Sequence, residues 1–176
     1  LSQRMAIAWG LAGQNITPGK SAVKLRQLET QFMRTLDRLG KMGLPDPLAS
    51  RLDTVINVWP RYRQALFGAA PATANAVLVL ELSEEILEAI DQLAREAATH
   101  AAVPAAHYVN IAGRNRMLSQ RIGKFFLFRE WGVCSEAMLQ RMGNSWCEFE
   151  VNLAELKRSG KSIPELAAQL NEITEQ

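Results

Sequence analysis

The sequence is poor in the residues that most catalytic and cross-linked designs need. Two cysteines among 176 residues exclude a disulfide framework and a Cys-rich zinc module. Two histidines, His100 and His107, straddle Pro104 with Glu96 one turn back. No third strong ligand accompanies them, so no metal or cofactor is expected. Charge of one sign is lacking too: 20 basic against 18 acidic side chains leave +2, which speaks against a dedicated nucleic-acid binder. Arg61-Tyr62-Arg63 is too short a basic patch to change that. No apolar run approaches the roughly 18 residues a membrane span requires; stretches such as Ala76 to Leu80 are far shorter. No stretch has the make-up of a signal peptide. GxGxxG and GK[ST] loops are absent, and no Ser-His-acid or Cys-His set can be placed by spacing, so an enzyme is the weakest class.

What the chain does have is helix. Alanine, leucine, glutamate, glutamine and arginine dominate, and period-two alternation is scarce, which predicts an all-α protein. Thr17-Pro18-Gly19 separates a first helix from a second, and Gly43-Leu44-Pro45 closes the second. Asp46 is placed to cap a third, which Trp59-Pro60 should kink or restart. Thr73 is placed to cap a long fourth helix with Val77, Leu80, Leu87, Ile90, Ala94, Ala97 and Ala101 on one stripe. Val103-Pro104 breaks the chain again. The next helix ends near Trp131-Gly132, and Ser135 caps one that ends at Gly160. Ser162 and Glu165 form a capping box for the last. The methionines are expected in the core. Trp9, Trp59, Trp131 and Trp146 are expected to close the bundle near helix ends, and Cys134 and Cys147 to be unpaired packing residues.

Charge runs in blocks: +6 over residues 1–72, −5 over 73–103, +4 over 104–132 and −3 over 133–176. Two explanations stand. Acidic and basic helices pack side by side, or residues 104–132 hold positive charge for a ligand.

The chain also repeats itself. Leu1-Ser2-Gln3-Arg4-Met5 recurs as Leu118-Ser119-Gln120-Arg121-Ile122, and the same offset of 117 maps Phe32 onto Phe149, Leu36 onto Leu153, Leu39 onto Leu156, Gly43 onto Gly160 and Pro47 onto Pro164. One residue out of register, Leu52 matches Leu170 and Val55 matches Ile173. The expected architecture is an elongated antiparallel up-down helical bundle built from two helix–turn–helix repeats. Residues 1–103 form the first copy, truncated at its N-terminus, and 104–176 the second, truncated at its C-terminus, in one continuous bundle.

On a helical projection of residues 108–129, one stripe holds Ile111, Leu118, Ile122 and Phe125, flanked by Asn115 and Arg121. This is the expected core face. Opposite lie Val109, Gly113, Arg116, Gln120, Gly123 and Leu127 at coiled-coil spacings, with glycines that admit a close helix. That second face is the expected homodimer interface. Arg116 lies near its middle, where a planar oxyanion suits the guanidinium fork. The alternative is that Arg116 lies on a solvated face or pairs with a glutamate of a neighbouring helix.

The run Asn110-Ile111-Ala112-Gly113-Arg114-Asn115-Arg116-Met117-Leu118-Ser119-Gln120-Arg121 resembles the signature of PilJ-type domains. These are N-terminal sensory domains of type IV pilus chemotaxis transducers, also found in exported bacterial proteins. The resemblance spans nearly the whole chain. The box Gly113, Arg116, Met117, Ser119, Arg121 is also similar to that of the nitrate/nitrite sensor kinases NarX and NarQ. There the box lies at a dimer interface and its first arginine binds nitrate between subunits. The resemblance thus implies a periplasmic ligand-binding input domain whose ligand is a small anion such as nitrate or nitrite. Arg116 becomes the main contact, with Gly113, Ser119, Gln120 and Arg121 as further ligand-binding candidates. It also implies a membrane-anchored or signalling partner outside this chain. A second reading is a helical protein–protein interaction module with no small ligand. It is separated from the first by whether Arg116 is unpaired at a subunit interface or consumed by a buried glutamate.

Overall fold

The computed structural model describes residues 1–101 and 106–160, with side chains described for 1–100, 110–158. The Val103-Pro104 break, the side chains of His107 and Val109, the Ser162–Glu165 capping box and the repeat positions Pro164, Leu170 and Ile173 lie outside them. Six helices and no strand are found among the described residues: α1 Ser2–Gly13, α2 Pro18–Gly40, α3 Asp46–Phe67, α4 Thr73–Ala101, α5 Ala106–Glu130 and α6 Glu136–Gly160. None is long and apolar enough to cross a membrane.

Short turns make sequence neighbours antiparallel, and the cross-helix pairs fix the register. Between α2 and α3, Arg26 lies 4.2 Å over the Phe67 ring, Arg63 donates to Glu29 at 2.6 Å, and Phe32 meets Trp59 at 4.6 Å. Between α3 and α4, Arg61 pairs with Glu85 and Arg51 with Gln92. Between α5 and α6, Arg114 binds Glu148, and Asn115 donates to the carbonyl of Phe149. The alternation also brings helices of like direction side by side. Helices α1 and α5 run parallel: Gly10 faces Leu127, Gly13 faces Trp131, and Gln14 Nε2 donates to the Leu127 carbonyl at 3.0 Å.

Helix α1 is the centre of the bundle, touching α2, α3, α4 and α5. Its Met5, Ala6 and Trp9 are fully buried, and the buried Tyr62 hydroxyl donates to the Ser2 carbonyl at 2.8 Å. Trp9, Phe128 and Trp131 close one end as an aromatic cluster.

Several local expectations change in the folded chain. Helix α3 runs through Pro60 without restarting, with Trp59 and Tyr62 held in the core on either side of the exposed proline. Asp46 occupies the first turn of α3, where its charge suits the helix N-terminus, rather than the cap, which is Pro45. The buried stripe of α4 is Ala76, Val79, Ser83 and Ile86, with Leu80, Leu82, Leu87 and Ala89 beside it; Val77, Ala94 and Ala97 face solvent. Trp146 and Met33 are about half exposed rather than core. Cys134 and Cys147 are exposed free thiols. Ser135 does cap α6, accepting from the Met138 amide at 3.2 Å.

The hairpin α1–α2 and the hairpin α5–α6 match at the offset seen in the sequence. Gly13 ends α1 where Glu130 ends α5, and two left-handed residues of the turns that follow, Asn15 (φ 59°) and Gly132 (φ 82°), are themselves 117 apart, while Thr17 (φ 47°) is a further left-handed residue of the first turn. The buried faces nevertheless differ. Ser2, Gln3, Met5, Ala6 and Trp9 are buried, whereas Ser119, Gly123 and Phe126 are exposed and Gln120 and Ile122 half-buried. Phe32 is buried under Trp59, while Phe149 is half-buried beside Trp146. Helix α1 is surrounded; α5 stands on the flank.

Gly13 tests the α1–α5 pairing. A Cβ on Gly13 would stand 2.1 Å from the Trp131 ring. In urea denaturation, Gly13→Ala should destabilise the fold. Gly143→Ala on α6, where nothing lies within 4 Å of an added Cβ, should stabilise it by about 0.5–1 kcal/mol, the helix-propensity gain.

Candidate functional site

Helix α5 carries five cations, and the structure sorts them by their counter-charges. Arg114 reaches between α4 and α6, bound to Asp91 and to both oxygens of Glu148. Those two carboxylates hold its pKa above the ordinary arginine value despite partial burial. Arg121 grips Glu84 of α4 with a forked pair of donors and lies 5.5 Å from the Phe125 ring. Arg129 pairs with Glu130 at the surface. Lys124 is the surprise. It is fully buried, donating to Ser83 Oγ at 2.7 Å and to Glu84 at 2.5 Å, with its ammonium 4.6 Å from the Phe125 ring.

Burial pushes the Lys124 ammonium down to about 8, with Glu84 opposing the shift. For Glu84 burial works upward, but Lys124 and Arg121 outweigh it and hold the carboxyl below its ordinary range. Gln3 of α1 donates to the Ser83 carbonyl at 2.8 Å, and Arg141 of α6 pairs with Glu81 at 3.2 Å. One segment of α4, residues 81–84, is thus seated in a groove walled by α1, α5 and α6.

Arg116 alone among the α5 cations has no carboxylate within ion-pair distance among the described residues. Its side chain is exposed, and its backbone carbonyl accepts from Ser119 Oγ at 3.0 Å.

The sequence-derived candidates divide accordingly. Gly113, Arg116 and Ser119 are exposed on one side of α5. Gln120 is half-buried and lines a groove with α1 and α2. Arg121 is committed to Glu84 of α4 through its Nε and Nη2 donors. The expected interface face is split as well: Leu127 packs on Gly10 of α1 in the same chain, while Gly113, Arg116 and Gly123 are open. The expected core face holds for Leu118, Phe125 and Asn115; Ile111 and Ile122 are half-buried, and Lys124 and Phe128 join it. Lysine is rarely buried, so projection alone assigned Lys124 nowhere. The only hint was the acidic block of residues 73–103 that must sit somewhere. His100 contacts Glu96 at 3.4 Å, and the described residues contain no group of three His, Cys, Asp or Glu side chains fit for a metal.

Residues 97–176 match the PilJ family, described as the type IV pili methyl-accepting chemotaxis transducer N-terminal domain. That segment contains α5, α6 and the whole Gly113–Arg121 box. No curated protein and no solved structure matches the chain.

Removing Glu84's charge should expose the cost of the buried lysine. Glu84→Gln leaves Lys124 charged and unpaired in the core, and we expect a loss of about 3–5 kcal/mol at pH 6. The sign with pH follows from a depressed lysine: the penalty is present below its folded pKa and is relieved as pH rises towards the unfolded value. The deficit of Glu84→Gln against wild type should therefore shrink between pH 6 and pH 9 in chemical denaturation.

Proposed function

We propose that this protein is an extracytoplasmic, periplasmic sensory input domain that takes a small anion, nitrate or nitrite first, at Arg116, in a homodimer formed through the open side of α5. The observation that carries the reading is the sorting of the α5 cations. Arg114 and Arg121 are neutralised by carboxylates of α4 and α6, whereas Arg116 has none among the described residues. A guanidinium brought into a helix–helix contact needs a counter-charge once water is withdrawn, and a planar oxyanion satisfies two of its donors at once. Gly113 and Gly123 flank it with open space, so a second helix can approach closely. Gly113, Ser119 and Gln120 surround the contact, and Arg121 acts through the position of α4 rather than on the ligand. The PilJ match supports a signalling role and a transducer as the larger setting. The two sequence copies, residues 1–103 and 104–176, are taken as one continuous bundle. Signalling requires only that the anion prefer one helix arrangement over another.

The test is thermal melting and calorimetry of the full-length domain with nitrate, nitrite and chloride at fixed ionic strength. A ligand at a hundredfold excess over its dissociation constant should stabilise the protein by about 2.7 kcal/mol. Arg116→Ala should abolish the shift and leave the unliganded melt unchanged, since the side chain is outside the core. Arg116→Lys should weaken it, because a point charge does not reproduce the fork. If no small oxyanion gives heat or a shift, the reading fails and the interaction-module alternative replaces it.

A further inference from the structure

The parallel pairing of α1 with α5 creates two related grooves, one on each side of the pair, and among the described residues only one of them is filled. The filled groove is walled by Gln3 of α1, Arg121 and Lys124 of α5 and Arg141 of α6, and α4 lies in it through Glu81, Ser83 and Glu84. The sequence offset of 117 carries these wall positions onto Gln120, Arg4, Ile7 and Lys24. Those same four residues line an open groove of about 510 Å3 between α1, α2 and α5. Its floor is apolar, with Ile7, Ala8, Leu11 and Leu28, and its rim carries Arg4, Lys20 and Lys24. No acidic residue lines it, and none of the three cations has an ion-pair partner among the described residues.

We propose that this second groove is the docking site for an acidic amphipathic helix, seated as α4 is seated in the first. The occupant's chemistry can be specified from the filled groove. A carboxylate at the position of Glu84 meets Arg4, one a turn earlier at the position of Glu81 meets Lys24, and a main-chain carbonyl receives Gln120. One position differs. Ile7 stands where Lys124 stands in the filled groove, so the residue that faces it is small and apolar rather than the serine of α4. The fully buried charge is therefore absent from this interface, and binding is held by rim charges and an apolar floor. That is the profile of a reversible, salt-sensitive contact rather than a permanent core. Arg116 does not line the groove, and Gln120 is the one residue the groove shares with the anion reading.

The probe is a labelled synthetic peptide with the sequence of residues 76–91 and alanine in place of Ser83, titrated with the full chain at low ionic strength by fluorescence anisotropy. Saturable binding is expected, weakening as salt rises. The Arg4→Glu/Lys24→Glu protein should bind about tenfold or more weakly, as should wild type with a peptide carrying glutamine at both Glu81 and Glu84. Lys41→Glu, whose cation lies on α2's far end paired with Asp37, should bind as wild type does. The proposal is overturned if the wild type shows no saturable binding, or if the glutamine peptide binds as tightly as the acidic one. The second comparison uses unmutated protein, so it does not depend on the folding of any variant.

Discussion

The arrangement turns on one buried ion pair. Lys124 has no access to water, and its ammonium persists in the core because Glu84 and Ser83 of α4 meet it there. Such a pair adds little net stability over an apolar replacement, since desolvation consumes most of the attraction. What it does is forbid alternatives. A helix that slid by one turn would leave Lys124 and Glu84 each buried without a partner, at several kcal/mol. Helix α4 is thereby fixed against α5, Gln3 adds α1 through the Ser83 carbonyl, and Arg141 adds α6.

That keying explains both the charge blocks and what is left over. The acidic block of residues 73–103 is the counter-charge of the basic block of 104–132: Asp91 takes Arg114, and Glu84 takes Arg121 and Lys124. Side-by-side packing therefore accounts for most of the alternation. It does not account for Arg116, nor for Arg4, Lys20 and Lys24 across the α1–α5 pair. Both residual sites arise from the same asymmetry: one acidic helix serves a pair of helices with two related sides.

The fold class was legible because helical signals are local. The breaks expected at Thr17-Pro18, Gly43-Leu44-Pro45 and Trp131-Gly132 fall at the observed helix boundaries, and the repeat was visible in five consecutive residues. Pro60 was misread because its cost is local, whereas Trp59 and Tyr62 anchor α3 from the core on both sides of it. The α4 stripe was misread because Ser83 sits on the buried side and Val77 on the exposed one, contrary to their types. The site was legible only in part. Projection found the open side of α5 and singled out Arg116. It could not show that α1 would take Leu127, nor that Arg121 would be spent on Glu84, because both depend on which helix lies alongside. A repeated motif does not imply a repeated environment: Gln3 is buried against Ser83, and its copy Gln120 borders a groove.

The motif arginines differ in their partners: Arg114 and Arg121 are held by carboxylates, and Arg116 has none among the described residues. Side-chain NMR of nitrogen-labelled protein reads each guanidinium directly. Without ligand, Arg114 and Arg121 should show slow rotation about the Nε–Cζ bond, pinned by their carboxylates, and Arg116 fast rotation. On adding nitrate at constant ionic strength, the Arg116 Nε resonance should shift and its rotation slow, with Arg114 and Arg121 unchanged. An Arg116 already pinned in the ligand-free protein, or a titration in which it does not move, would contradict the account.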